Sequence, residues 1–143
     1  MPTTPPTGLY AAQSDIEDIF GVANIASWSQ LDPTQPPGTD DPTRIQRALD
    51  DADGRIISFF RDHGNYITPL APQNNDVTLV TRWAATLAGV WLYSSRGLRD
   101  DTKEGNKYSA MAAKVIAEMG PYRSQQKLDA ARRWPAPTAP AAC

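Results

Sequence analysis

Apolar residues recur most densely between residues 76 and 97, which read DVTLVTRWAATLAGVWLYSSRG. Val77, Val80, Ala84, Leu87, Ala88 and Trp91 recur at steps of three and four, with Leu87 and Ala88 adjacent, the spacing of one helical face. Leu79, Trp83, Val90 and Leu92 lie off that face and are also apolar. A helix apolar nearly all round is one that other elements surround. Asn75 or Asp76 suits its N-cap, and Gly97 suits a left-handed stop. Gly89, in mid-helix, costs about 1 kcal/mol against alanine. Its presence predicts close approach by a neighbouring helix. Arg82 and the threonines interrupt the apolar run, so it is too short to span a membrane.

The flanking pattern predicts further helices. Across residues 43–63, Ile45, Ala48, Leu49, Ala52, Ile56, Phe59 and Phe60 form an amphipathic stripe, with Asp41 as cap, Pro42 in the first turn and Gly64 as stop. Across residues 102–119 the stripe is Tyr108, Met111, Ala112, Val115, Ile116 and Met119, and Gly120-Pro121 predicts a firm end. Ser14 and Glu17 fit a capping box that opens a short helix with Ile16, Ile19 and Phe20 inward, ended or kinked by Gly21. Residues 22–30 add another turn or two, with Val22, Ile25 and Trp28 at helical spacing. No stretch alternates with period two for long enough to read as a strand. The expectation is an all-α bundle of three long helices and one short N-terminal helix, with extended arms at both ends.

The thirteen prolines sharpen the boundaries. They concentrate in the first seven residues, in the loop 31–41 with the adjoining Pro42, and in the tail. The reading is an N-terminal arm over 1–13, a helical domain over 14–120 and a basic, Pro/Ala-rich tail over 121–143. The loop, LDPTQPPGTDD, projects from the surface. Trp28 and Trp134 each lie near a proline-rich stretch, which predicts exposed anchors at an interface. In the tail, residues 122–134 suit a short basic helix, and WPAPTAPAAC favours extended polyproline II.

Charge adds less. The net charge is −2, so the overall field does not advertise nucleic-acid capture. Residues 1–60 hold nine acids and three bases, and residues 61–143 hold seven acids and eleven bases. The single cysteine, Cys143, cannot form a disulfide within the chain, which suits an intracellular origin. The N-terminus has neither the basic region nor the apolar core of a signal peptide. His63 has no nucleophile or metal partner near it in sequence. Asp50, Asp51 and Asp53 with Gly54 imitate a calcium loop. Counted from Gly54, however, Leu49 and Phe60 fill the positions where ligands are needed. The run therefore reads as the solvated face of a helix. No phosphate loop, HExxH or CxxC is present. The chain is expected to be no enzyme and to need no cofactor or metal. Arg96, Arg99, Lys103 and Lys107 form a basic cluster diluted by acids, which leaves a small helical nucleic-acid-binding or regulatory module as an alternative.

The order of elements carries a resemblance. Tyr10-Ala11 leads to Asp15-Ile16-Glu17-Asp18-Ile19-Phe20-Gly21, and a polar insert follows. Then come Arg44-Ile45-Gln46-Arg47-Ala48-Leu49-Asp50-Asp51-Ala52-Asp53-Gly54-Arg55-Ile56 and Tyr66-Ile67-Thr68-Pro69-Leu70. A helix carrying Val77, Val80, Ala84, Leu92 and Tyr93 precedes a closing one from Tyr108 through Ala112. Over about residues 9–120 this resembles the head–tail connector (adaptor) proteins of tailed bacteriophages, in particular a group from Mu-like phages. The resemblance implies a homo-oligomeric ring, usually of twelve copies, in the neck of the virion. It would sit between the portal and the next neck or tail protein, and DNA would pass through without specific binding. Before assembly, its place is the host cytoplasm. Tyr122, Arg123, Lys127, Leu128, Arg132, Arg133, Trp134 and Pro135 are the expected portal contacts. Trp28, Leu31, Pro36 and Pro37 are the expected contacts between subunits, although this Pro-rich loop departs from the usual Asp/Gly-rich insert.

Overall fold

The structure is a computed structural model, and it describes residues 5–36, 38–61, 72–73, 76–95 and 103–124, with backbone only at 103–106, 123 and 124. The described residues form five helices and no strand: α1 (Gln13–Phe20), α2 (Val22–Ser29), α3 (Pro42–Arg61), α4 (Asp76–Ser94) and α5 (Lys103–Ser124). The all-helical expectation holds, with one more short helix than the pattern predicts.

Helix α4 is the axis. It touches each of the other four helices, and Val80, Trp83, Ala84, Ala85, Ala88 and Leu92 are fully buried. An apolar surround is therefore what its sequence found. Its two ends differ from expectation. Val77, in the first turn, is 45% exposed. Trp91 is half-buried beneath the guanidinium of Arg44, whose Cζ lies 5.5 Å from the indole centroid. Arg44 Nη2 also donates to Ser95 Oγ at 2.7 Å, so it clasps the start of α3 to the end of α4.

The close approach at Gly89 comes from a side chain. A Cβ built there would collide with the Cε2–Cδ2 edge of the ring of Phe20, the last residue of α1. Gly21, at φ 94°, then turns the chain. Its N–H closes α1 on the Glu17 carbonyl at 2.8 Å, and its own carbonyl accepts from Ile25 as α2 begins. One left-handed glycine thus serves as the end of one helix and the start of the next.

The start of α1 corrects the predicted capping box. The helix opens at Gln13, two residues before Asp15, and the Ala12 N–H donates to Asp15 Oδ2 at 2.8 Å. Asp15 thus performs the reach-back expected of Glu17, while alanine at the cap supplies no side-chain acceptor. The cap of α3 is as expected: Asp41 Oδ1 accepts from the Thr43 and Arg44 amides at 3.1 and 3.4 Å, with Pro42 as first helical residue.

The firm stop at Gly120-Pro121 is not found. Helix α5 runs through both residues to Ser124. Tyr122 thereby stays on the helix and meets Trp83 edge-to-face, with ring centroids 5.4 Å apart. Ile116, expected inward, is 44% exposed, while Val115 and Met119 are buried.

Candidate interaction surfaces

The first surface is the N-terminal arm, and a buried acid organises it. Asp53 sits four residues after Leu49 and three before Ile56, so it shares their inward face of α3 and is only 8% exposed. Of the aspartates read as a solvated face, Asp53 is therefore the exception. Its Oδ2 accepts from the Leu9 amide at 2.6 Å and its Oδ1 from the Tyr10 amide at 3.4 Å. Burial pushes its carboxyl pKa up, the two amides pull against that, and nearby Asp50 adds to the rise. About two turns toward the start of α3, Gln46 exchanges hydrogen bonds with the Thr7 main chain, accepting at 3.3 Å and donating at 3.0 Å. Thr81 of α4 donates to the Tyr10 carbonyl at 2.8 Å. The arm is thus strapped across α3 and onto α4 by its backbone. Gly8 is required there, since a Cβ would lie 2.9 Å from Asp53 Oδ2 and 3.0 Å from Leu49 Cβ.

The second surface is the loop after α2. Leu31 is 45% exposed and Pro36 is exposed, as expected of a projecting segment. Asp32 organises its turn: Oδ1 accepts from the Thr34 amide at 2.9 Å and the Thr34 hydroxyl at 2.6 Å. The hydroxyl, then the amide, hold the Asp32 carboxyl below its ordinary pKa. Trp28 does not belong to this surface. It is 5% exposed, and its ring meets Phe20, Tyr93 and Tyr108 at centroid distances of 5.6, 5.2 and 5.1 Å. The expected exposed anchor is a core residue, because α2 continues for two turns and carries the indole inward. Its neighbour Ser29, also buried, accepts from the Asp41 amide at 3.1 Å and so draws the far end of the loop back to α2.

The third surface was not foreseen. Between α3 and α5 runs an open groove of about 510 Å³, lined by Asp51, Gly54, Arg55, Phe59, Ile116 and Met119, among others. Leu87 of α4 contributes to its lining from between the two walls. Asp51 and Arg55 pair across one turn of α3 at 2.9 Å. The signals for it in the sequence were Gly54, a glycine inside a strong helix, and Ile116, one position beyond Val115 on the stripe.

Of the expected portal contacts, Tyr122 is half-buried against Trp83. The Arg123 side chain, Lys127, Leu128, Arg132, Arg133, Trp134 and Pro135 lie outside the described residues, as do Pro37, His63, Arg96 and Arg99. Among the described residues no three His, Cys, Asp or Glu side chains gather where they could hold a metal ion. No described helix is long and apolar enough to cross a membrane.

Fold and surfaces together define a small all-helical module wrapped around one buried helix, with an arm, a loop and a groove on its outside. Residues 10–131 match the family described as bacteriophage Mu, Gp36, and the chain belongs to that family. It is a phage protein of the Mu-like kind. Neither the curated proteins nor the solved structures contain a match.

Proposed function

We propose that this chain is a structural virion protein: a head–tail adaptor whose copies form a ring between the portal and the next neck or tail protein. DNA passes along the ring's axis. The observation that carries the reading is the family match across the whole helical body, together with the order of elements that resembles phage adaptors. The physical form is consistent with it. A ring subunit needs a rigid body, which the helices packed on α4 supply. It also needs projecting parts for its neighbours, and Leu31 and Pro36 in the loop are available for that role. In this reading the chain works by binding and not by catalysis. Its tail, with Arg132, Arg133 and Trp134, reaches the portal.

Because α5 includes Tyr122, the test must cut after Ser124 and not after Gly120. A chain of residues 1–124 should fold as the full chain does and fail to decorate portal-bearing heads in negative-stain images. Normal decoration by the shortened chain would refute the tail assignment. Failure of the full-length chain to bind portals at all would refute the adaptor reading.

A further inference from the structure

The groove between α3 and α5 has an odd wall. Gly54 stands in the interior of a 20-residue helix, where glycine costs about 1 kcal/mol against alanine. Its backbone is ordinary, with no positive φ to accommodate. A Cβ built on it would meet nothing within 4 Å. Nothing in the described structure therefore requires a glycine there. One use of such a glycine is to leave the helix backbone open to close approach by another segment. On the same wall Phe59 is half-buried, across the groove Ile116 is 44% exposed, and Met119 and Leu87, both nearly fully buried, form the floor.

We infer that this groove is the resting place of the chain's own C-terminal segment, residues 125–143, with Trp134 seated over Gly54 between Phe59 and Ile116. Three observations select this occupant. The first is position: the segment starts where α5 ends, and Ile116 lies eight residues back along that helix, about 12 Å. The second is length. Ten residues separate Ser124 from Trp134, and ten extended residues reach roughly 33 Å, enough to turn back with slack. The third is chemistry. Its polar first part, residues 125–133, carries one large apolar residue, Leu128, and its last part, WPAPTAPAAC, offers an apolar surface that suits the groove. Arg132 and Arg133, next to the indole, can share the Asp51 carboxylate that Arg55 holds at the rim. A short tether raises the local concentration of such a segment to the millimolar range, so a weak site suffices. Gly54 then has a reason: its missing side chain is room for the indole. This holds for the free chain, whatever ring it joins.

The native Cys143 is the only cysteine and lies in the segment, so it takes a nitroxide label without any substitution. In the labelled full chain, NMR signals of Ser58 and Ile116 should broaden, independently of protein concentration. Trp134→Ala should abolish the broadening. So should Gly54→Met, whose side chain fills the groove, and neither change should lower the melting temperature. Broadening carried by mixtures of labelled and isotope-enriched chains would assign the segment to a second copy and overturn the proposal. Broadening that survives both substitutions, or none in the parent chain, would overturn it as well.

Discussion

Two glycines in this chain make opposite demands on the same substitution. At Gly89 an alanine methyl would collide with the Phe20 ring, which is itself held by an edge contact to Trp28 and a tilted one to Tyr108. Overfilling a core site costs about 1–3 kcal/mol, more than the gain in helix propensity returns. At Gly54 the methyl meets nothing within 4 Å in the described body, and the propensity gain exceeds what a weakly docked tail loses. Urea unfolding should therefore show Gly89→Ala destabilised by about 1–2 kcal/mol and Gly54→Ala stabilised by about 0.5–1 kcal/mol. Phe20→Leu should recover part of the first loss, as a double-mutant cycle would reveal. Asp53 makes a second prediction at this scale. Its pKa is raised in the folded chain, so the folded state holds the proton more firmly than the unfolded one. Its contribution is full below the ordinary value of 3.8 and falls as pH rises through the raised value. Measured against Asp53→Asn, which does not titrate, the parent chain should lose relative stability across that window and then level off. A constant difference from pH 3 to pH 7 would contradict the assignment. At neutral pH, Asp53→Ala should cost about 1–3 kcal/mol, since the Leu9 and Tyr10 amides lose their acceptor.

At the scale of elements, the hydrophobic period located α3, α4 and the body of α5, and failed where short segments or junctions decide the outcome. Residues 22–30 are too few for a period to be read with force. The prolines that follow carry the composition of an exposed loop and suggest a surface Trp28, whereas the aromatic rings of α1, α4 and α5 take it in. At the other end, Gly120 and Pro121 carry the composition of a helix stop. Contact between Tyr122 and Trp83 continues α5 past them, an instance of tertiary contact overriding local preference. The burial of Asp53 was within reach of the sequence, since it stands in register with Leu49 and Ile56. Its partners were not, because they are main-chain amides of an arm whose path no periodicity encodes. The α5 extension yields its own prediction. Tyr122→Ala should destabilise the fold by about 2 kcal/mol, half the usual cost of truncating a fully buried aromatic. Removal of residues 125–143 should leave the midpoint of thermal unfolding within a degree or so of the parent, a shift that corresponds to a few tenths of a kcal/mol. Equal effects from both changes would mean that the body continues beyond Ser124.

For the molecule as a whole, the sequence revealed the family more readily than the contacts. The order of small and apolar residues from Tyr10 onward matches across residues 10–131, whereas a groove formed by two helices far apart in the chain leaves no local trace. The net charge of −2 bears on the proposed role. Each phosphate neutralised by a basic side chain adds salt-dependent affinity, and a conduit must let DNA slide. In a gel-shift at moderate salt the isolated chain should not retain plain duplex DNA. Tight retention that weakens steeply with added salt would favour a nucleic-acid-binding module instead.

The strap at the N-terminus bears on how freely that end can be rewritten. Gln46, Asp53 and Thr81 take hold of amides and carbonyls at Thr7, Leu9 and Tyr10, and of no side chain there. Amides and carbonyls are common to nearly every residue type, so Thr7 and Leu9 can be exchanged with little effect on attachment. The two constraints are Gly8, where a side chain would collide with Asp53, and any proline that would delete a donor at position 7, 9 or 10. An epitope or affinity peptide could accordingly be spliced onto this edge of the protein and be displayed in a fixed orientation beside α3.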